Sequence, residues 1–275
     1  MMRAPSILAL VSVLTVATIA PVRADLPPTT IDLSLSSGSL QPGSSYGPWQ
    51  FATLSARTTA GKDKPGISVT TRRDGDAAAP SSGTTVSVDD YHQFSTKAFG
   101  YAAIQAASGS IFPTRGGYAE FDGTLREGLA FGAGAGISVD ANGLVQRYAS
   151  VGPTLYFAHG NATVRYLPVW TQGQVGASSW IADLSLGDEG RSVVSFHLQD
   201  GVAPAFAADD PTLSSRFANR SFVAGIGLRS WVTPRFGFTA GVEVGDERDR
   251  ATGVEAYSRT SISLGMFVGV GRAKP

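Results

Sequence analysis

The chain has 275 residues, no cysteine, and 22 basic residues against 22 acidic ones. This even charge gives no sign of the basic patch that a nucleic-acid partner requires, and the lack of cysteine excludes disulfides, thiolate metal ligands and a lipidated cysteine anchor. Glycine is frequent, at 33 of 275 residues, and charged residues are few, at 16%. In soluble domains about 7% of residues are glycine and about 25% are charged.

The N-terminus has the three parts of a secretory signal peptide. Arg3 supplies the positive charge, residues 7–20 form an uncharged and largely apolar run, and small residues precede the cleavage site. The apolar run is shorter than the roughly 20 residues of a spanning helix, and no later stretch reaches that length. We therefore predict a signal peptide over residues 1–24, cleaved after Ala24, and one mature domain over residues 25–275.

Most of the mature chain alternates between apolar and polar residues, with the period of two of a β-strand. In residues 221–232 one face is apolar, whereas the other carries glycine, Arg229 and Trp231. Short turns such as residues 140–143 and 187–190 contain Gly with Asn or Asp, which predicts an antiparallel meander. The predicted strands are 30–39, 49–60, 65–73, 84–95, 98–108, 116–126, 129–139, 144–157, 161–170, 178–186, 191–199, 221–232, 235–245 and 259–270.

Alternation alone does not tell which face meets water, but strand length and composition do. Many predicted strands have about 10–12 residues, which suits tilted membrane strands of about 9–11 residues and exceeds the roughly 5–6 residues of soluble strands. The polar faces carry glycine, serine, threonine and isolated charges. Tryptophans at strand ends predict an aromatic girdle at the lipid headgroups. They are Trp49, Trp170, Trp180 and Trp231.

Together these features predict an all-β, antiparallel, up-and-down transmembrane β-barrel of about 14 strands, with a range of roughly 12–16. The signal peptide places it in the outer membrane of a Gram-negative bacterium. The alternative is a soluble periplasmic β-protein, in which the apolar faces would pack against one another.

Short motifs along the chain carry a family resemblance. They are the strand at Trp49, Ser110–Pro113 before Arg115–Glu120, the run Gly132–Gly136, Val151-Gly152-Pro153 with Tyr156-Phe157, and Val164-Arg165-Tyr166. Over about residues 30–271 the chain resembles the YaiO-type family of outer-membrane β-barrels, and it is also similar to the barrel portion of poly-N-acetylglucosamine export porins. The resemblance implies the fold and the compartment, and it implies no catalytic residue.

A search for catalytic or metal-binding patterns gives none. The three histidines lack paired spacing, and neither a His-x-Ser step nor a G-x-S-x-G elbow occurs. Asp89-Asp90 and Asp209-Asp210 are interpreted as solvated loop acids. The run Gly132–Gly136 lacks the Lys-Ser or Lys-Thr of a phosphate loop, so we predict that it makes room in a narrow lumen. We expect no cofactor and no enzymatic activity, with a barrel enzyme acting on lipid or peptide as the alternative. The histidines are His92, His159 and His197.

Charges within the predicted strands should face the lumen, because a charge facing lipid costs about 2–4 kcal/mol at the bilayer midplane. These charges either pair and plug the lumen or line a water-filled path, and their mixed signs favour pairing. We expect a narrow or plugged pore, accessory to envelope or exopolysaccharide export. Its expected partners are the lipid bilayer, the barrel-insertion machinery, and a polysaccharide or small polar solute. The lumen-facing candidates are Arg57, Arg72, Glu120, Asp122, Arg126, Arg165, Asp183, Arg229 and Glu243.

Overall fold

The computed structural model describes residues 27–40, 48–74, 81–109, 111–171, 176–202, 219–249 and 252–271. These residues form fourteen antiparallel strands, each paired with its neighbours in sequence, and the first strand pairs with the last to close a barrel. The predicted fold class is therefore confirmed. The strands are β1 (Thr29–Leu40), β2 (Trp49–Thr58), β3 (Asp63–Asp74), β4 (Ser81–Ser95), β5 (Ala98–Gly109), β6 (Arg115–Arg126), β7 (Leu129–Val139), β8 (Val145–Phe157), β9 (Gly160–Thr171), β10 (Ala177–Asp188), β11 (Ser192–Gly201), β12 (Asn219–Thr233), β13 (Phe236–Asp249) and β14 (Glu255–Val270). Within these ranges no helix is long and apolar enough to cross a membrane.

The hairpin formed by β13 and β14 extends beyond its predicted limits. The sequence predicts a loop over residues 246–255, but β13 continues to Asp249 and β14 begins at Glu255. Backbone pairing continues there, with Asp246 opposite Ser258. The alternation of apolar and polar residues ends here because residues 246–249 are all charged. Backbone hydrogen bonding between the two strands does not require that alternation, so the pairing continues.

The two ends of the barrel carry different connections. Pro27, Gly271 and the short turns lie at one end; in the Glu127-Gly128 turn, glycine adopts a φ of 73°. The longer connections lie at the other end. In outer-membrane barrels the short turns face the periplasm and the long loops face outward. We refer to these as the terminal end and the loop end, and to the adjoining parts of the lumen as the terminal half and the loop half.

Large apolar side chains point outward around the barrel wall. Ile104 is 66% exposed and Leu264 is 63% exposed, while the residues next to them in the strands point inward. A soluble β-protein would bury such side chains against each other, whereas a membrane barrel presents them to lipid. The alternative of a soluble periplasmic protein is therefore wrong.

The tryptophans occupy two different environments. Trp170 and Trp180 are 52% and 56% exposed on the outer surface, as a girdle requires. Trp49 and Trp231 are buried in the lumen, so the girdle prediction is wrong for these two. Alternation gives the reason, because Trp231 shares the inward face of β12 with Arg229.

Candidate functional site

A buried ion-pair cluster in the lumen joins β9 to β6. Arg165 Nη2 lies 2.7 Å from Glu120 Oε1 and 2.8 Å from Asp122 Oδ1, and the three side chains are 4–14% exposed. Ser150 Oγ donates to Glu120 Oε2 at 3.1 Å, and the Tyr118 hydroxyl also donates to this carboxylate. Charges withdrawn from water persist when they are paired and hydrogen-bonded in this way. We call Glu120, Asp122 and Arg165 the β6–β9 bridge.

Strand β7 lies beneath this bridge and presents glycine to it. A Cβ atom on Gly132 would lie 2.3 Å from Asp122 Oδ1 and 2.6 Å from Arg165 Nη2. A Cβ atom on Gly136 would lie 2.2 Å from the ring of Tyr148. Side chains from β6, β8 and β9 therefore cross over β7 only because it has no side chains there. The prediction that the glycine run makes room in the lumen is confirmed.

The pairing of β8 with β9 is interrupted next to the bridge. Ala149 and Ser150, and then Gly152 and Pro153, have no register partner on β9, although Val151 between the two gaps and Thr154 after them do. Proline lacks the N–H that a ladder needs. Arg165 Nη1 donates instead to the carbonyls of Gly152 and Pro153, at 2.9 and 3.1 Å. A side chain thus satisfies backbone acceptors at this seam.

Side chains fill the part of the loop half that lies beside β5, β8, β9 and β10. One buried cluster, which we call the loop-half core, brings together residues of β5, β8 and β9, and Ile181 of β10 packs against it. Ile111 and Phe112, in the connection after β5, are also buried. Among the described residues this part of the lumen therefore resembles a packed protein interior more than an open channel. The loop-half core consists of Ala103, Tyr148, Leu167 and Val169.

Aromatic rings surround two arginines on the loop-half wall formed by β2, β3 and β14. The guanidinium carbon of Arg72 lies 3.8 Å from the ring centroid of Trp49 and 5.2 Å from that of Phe51. Arg259 lies 5.1 Å from the Trp49 ring and pairs with Glu243. Both arginines are buried. A cation over an aromatic face gains roughly 0.5–2 kcal/mol, so this cluster holds the wall side chains inside the lumen.

An open cavity of about 1710 Å³ occupies the terminal half of the lumen and extends along β1, β2 and β13 as far as Ser36, Phe51 and Glu243, next to the arginine cluster. Both arginines on its wall, Arg57 and Arg229, pair with carboxylates, and Lys62, Lys64 and Glu189 also line it near the terminal-end turns. Arg57 Nη2 lies 2.6 Å from Asp89 Oδ2, and Arg229 pairs with Asp32 while its guanidinium carbon lies 3.6 Å from the ring centroid of Phe267. The pairs lie along the wall, so oppositely charged side chains line the cavity without filling it.

Glycines and hydroxyl groups alternate across part of the cavity wall. On β11, β13 and β14, hydroxyl oxygens of serine and threonine lie over glycines of adjacent strands, where an added Cβ atom would be only 2.5–2.7 Å from the oxygen. This surface is polar and of low relief, and we call it the hydroxyl wall. The covering pairs are Ser195 over Gly227, Thr239 over Gly265, Ser261 over Gly38 and Ser263 over Gly241. The hydroxyl wall continues through Ser34, Ser36, Thr53, Ser55, Ser68 and Thr70 of β1, β2 and β3.

Four inward tyrosines form a row that connects the two halves of the lumen. The ring centroids of Tyr91 and Tyr101 are 4.5 Å apart, and those of Tyr101 and Tyr118 are 6.2 Å apart. Tyr118 then stacks on Tyr148 at 5.7 Å with an interplanar angle of 13°. Tyr91 lines the open cavity, whereas Tyr148 belongs to the loop-half core. This tyrosine row is therefore continuous from open space into packed interior.

Two more charges that the sequence assigns to the lumen lie nearer its rim or pair with a histidine: Arg126 is at a turn, and Asp183 contacts His197. A bulge between Thr124 and Arg126 interrupts the alternation of β6, and Arg126 is exposed at the turn that follows. Its predicted lumen position rests on an alternation that ends before it. Asp183 Oδ1 lies 2.7 Å from Nδ1 of His197, which lines the cavity.

Some residues of the site were not identified from sequence. The interpretation of Asp89 as a solvated loop acid is wrong, because it lies in β4, is buried and pairs with Arg57. Its alternation with Val86 and Val88 is the signal for an inward position. Asp32 and Arg259 have inward positions of the same kind, but no pattern indicates their partners. Residues 1–24 and the pair Asp209-Asp210 lie outside the described residues.

Metal ligation finds no support in the part of the chain that the structure describes. No group of three or more His, Cys, Asp or Glu side chains there could hold a metal ion. His92 Nδ1 lies 2.5 Å from Asp63 Oδ1 near the terminal end.

Comparison with known proteins agrees with this architecture. A family model described as the YaiO membrane beta barrel domain matches residues 29–206, more than half of the chain. No curated protein matches the sequence significantly. The resemblance inferred from the motifs is therefore confirmed, and the chain is an outer-membrane β-barrel.

Several solved outer-membrane proteins have the same fold. The CymD monoaromatic hydrocarbon channel has a TM-score of 0.64 at 10% identity, over 90% of each chain. The toluene transporter TodX of Pseudomonas putida has a TM-score of 0.54 at 8% identity, over 88% of this chain and 89% of that one. A bacterial polysaccharide outer membrane secretin has a TM-score of 0.51 at 8% identity, over 88% and 98%. At such identities the likeness establishes the fold alone.

Proposed function

The chain belongs to the YaiO membrane β-barrel family, and on that premise we propose that it is a non-enzymatic outer-membrane protein with a pore plugged in its loop half. The observation that carries the proposal is the contrast within the lumen. The loop-half core is buried, whereas the terminal half holds a cavity of about 1710 Å³. Such a barrel is accessible from the terminal end and blocked farther in.

The proposal includes a route to the membrane. Residues 1–24 direct export and are then removed, and residues 25–275 are inserted by the barrel-insertion machinery. The terminal end then faces the periplasm, since short turns do so in barrels of this kind. The cavity would accordingly open toward the periplasm.

The state of the lumen charges supports a structural role over a catalytic one. A general acid or base must reach a substrate atom within hydrogen-bond distance. Glu120 and Asp122 are instead buried against Arg165, and Asp89 is buried against Arg57. These groups hold each other and the wall, which is the behaviour of paired charges in a plug.

The wall chemistry supports a polar cargo, and with it an accessory role in envelope or exopolysaccharide export. CymD is a channel for monoaromatic hydrocarbons, and such a ligand would leave the hydroxyl wall without partners. Serine and threonine hydroxyls act as both donors and acceptors, which suits a hydroxylated solute. The fold shared with a polysaccharide outer membrane secretin is compatible with this role.

Single-channel conductance tests the plug. We expect the wild-type barrel in planar bilayers to conduct weakly, and we expect Tyr148→Ala with Leu167→Ala to raise the conductance by emptying the loop-half core. The matched control is Val164→Ala with Leu155→Ala, which shortens outward side chains on the same two strands. A shift in gel mobility on boiling verifies that each variant is folded. A large, steady wild-type conductance would contradict the proposal.

A further inference from the structure

We propose that the cavity in the terminal half is a binding site for a neutral oligosaccharide, which enters from the terminal end. This inference rests on the proposed function in one respect, because the plug makes the cavity a dead-end site. The ligand class is inferred from the shape, hydrogen-bonding groups, charge and aromatic surface of the cavity.

The size of the cavity indicates an extended ligand. Its volume of about 1710 Å³ exceeds the roughly 300–1,000 Å³ of ordinary small-molecule pockets. Residues of all fourteen strands line it, so it spans the barrel's cross-section. A single small solute would contact only part of this surface, whereas a chain of several sugar rings would contact much of it.

The hydroxyl wall provides polar groups at close spacing. Ser34 and Ser36 of β1 face the cavity beside Ser261 and Ser263 of β14. Each hydroxyl donates one hydrogen bond and accepts up to two, and each loses hydration when a ligand covers it. An apolar ligand would leave the solvent-facing members of this wall without hydrogen-bond partners. A ligand that itself carries many hydroxyls would satisfy them.

The arginines on the cavity wall are already neutralised, which favours a neutral ligand beside them; the lysines on the wall, Lys62 and Lys64, lie at the terminal-end turn and at the start of β3. Arg57 already pairs with Asp89, and Arg229 already pairs with Asp32. An anionic polymer would have to displace these carboxylates from their arginines. A neutral saccharide would leave both pairs intact and could accept hydrogen bonds from the remaining arginine N–H groups.

Flat aromatic surfaces complete the match to sugar rings. Tyr91 is 37% exposed and Tyr156 is 42% exposed, and both line the cavity together with Phe99. An aromatic face offers an apolar surface beside polar groups, which suits the C–H face of a pyranose ring. The two tyrosines lie on β4 and β8, so aromatic surface is available at separate points around the site.

Calorimetric titration of the purified mature protein in detergent tests the site. The neutral probes are maltohexaose and cellohexaose, with oligogalacturonate as the anionic probe and toluene as the apolar one. We expect at least one neutral probe to bind and the other two classes to bind more weakly. We expect Tyr91→Ala with Tyr156→Ala to weaken that binding by about tenfold or more, as loss of aromatic anchors commonly does.

The matched control is Tyr166→Ala, because Tyr166 lies on the outer surface with its ring 4.8 Å from that of Trp180. This control should bind the neutral probe as the wild type does. The inference is overturned if neither neutral probe binds, if an anionic or apolar probe binds more tightly, or if the double variant binds as the wild type does.

A second measurement separates this inference from the proposed function. The natural chain has no cysteine, so Ser263→Cys places a single thiol on the cavity wall, and bound saccharide should protect it from a thiol reagent. A large wild-type conductance together with saccharide protection would overturn the plug and keep the binding site. A weak conductance without protection would overturn the binding site and keep the plug.

Discussion

The loop half and the terminal half of the lumen are built by the same strands, yet one is packed and the other is open. In the loop half the inward positions hold large side chains such as Trp49, Tyr148 and Leu167. In the terminal half, inward positions of β2 and β3 hold small hydroxyl groups such as Ser55 and Ser68, while Trp231 packs against the wall beside Phe267. Among the described residues, the size of the inward side chains therefore distinguishes the packed part of the lumen from the open cavity.

The β6–β9 bridge offers the strongest way to break this contrast. Arg165→Met leaves Glu120 and Asp122 buried without their cation, and removal of one partner of a buried ion pair typically costs about 3–5 kcal/mol. Urea unfolding in lipid vesicles measures this loss. The control is Arg220→Met, because Arg220 pairs with Asp200 while 62% exposed, and such pairs contribute only about 0–1 kcal/mol. Equal losses would mean that the bridge is not held in a buried environment.

The glycines of the two halves should respond differently to the same substitution. Gly136→Ala forces a Cβ atom into the Tyr148 ring, and overpacking of this kind costs about 1–3 kcal/mol. Gly225→Ala on the cavity wall meets only ordinary contacts, the nearest atom being 3.6 Å away. Unfolding of the two variants provides the measurement. If Gly225→Ala is as costly as Gly136→Ala, the open half is more tightly packed than described.

Thiol labelling sharpens the contrast in a direct way. Ser138 in the loop half is 0% exposed, whereas Ser263 lines the cavity. We expect the thiol of Ser263→Cys to react at least about tenfold faster than that of Ser138→Cys, which must wait for local opening. Thiol-reactive reagent added to the folded protein gives both rates. Similar rates for the two thiols would show that the loop half is open to solvent.

Arg126 should show the smallest effect. It is exposed at the terminal-end turn, and surface substitutions of this kind usually change stability by no more than about 0.5 kcal/mol. We expect Arg126→Ala to leave both unfolding and conductance unchanged. A clear change in conductance would restore Arg126 as a lumen residue.

The strand count and the faces of most strands can be predicted from sequence because the two sides of the barrel wall meet different environments. Lipid requires apolar residues outside, and the narrow lumen requires small or polar residues inside, so the period of two persists along the strands. Arg165, Arg229 and Glu243 could be assigned to the lumen on this basis. The ends of β13 and β14 could not be predicted, because beyond the bilayer the outward face is no longer constrained.

Partnerships across the lumen could not be predicted from sequence. Arg229 binds Asp32, which is 197 residues away along the chain, because closure of the barrel pairs β1 with β14 and leaves only β13 and β14 between β1 and β12. The position of Trp49 was equally hidden, since a tryptophan at a strand end suits a headgroup girdle and also suits an arginine inside the lumen. Pairwise geometry, rather than residue type, decides such cases.

The interrupted pairing between β8 and β9 affects how the barrel wall is held together. Backbone hydrogen bonds between neighbouring strands hold a barrel closed. At Gly152 and Pro153 the Arg165 side chain supplies hydrogen bonds to the backbone carbonyls. The same Arg165 side chain also pairs with Glu120 and Asp122 in the lumen. One side chain therefore serves both the lumen and the wall. Any evolutionary change of the lumen charge at Arg165 would also weaken the contact between β8 and β9.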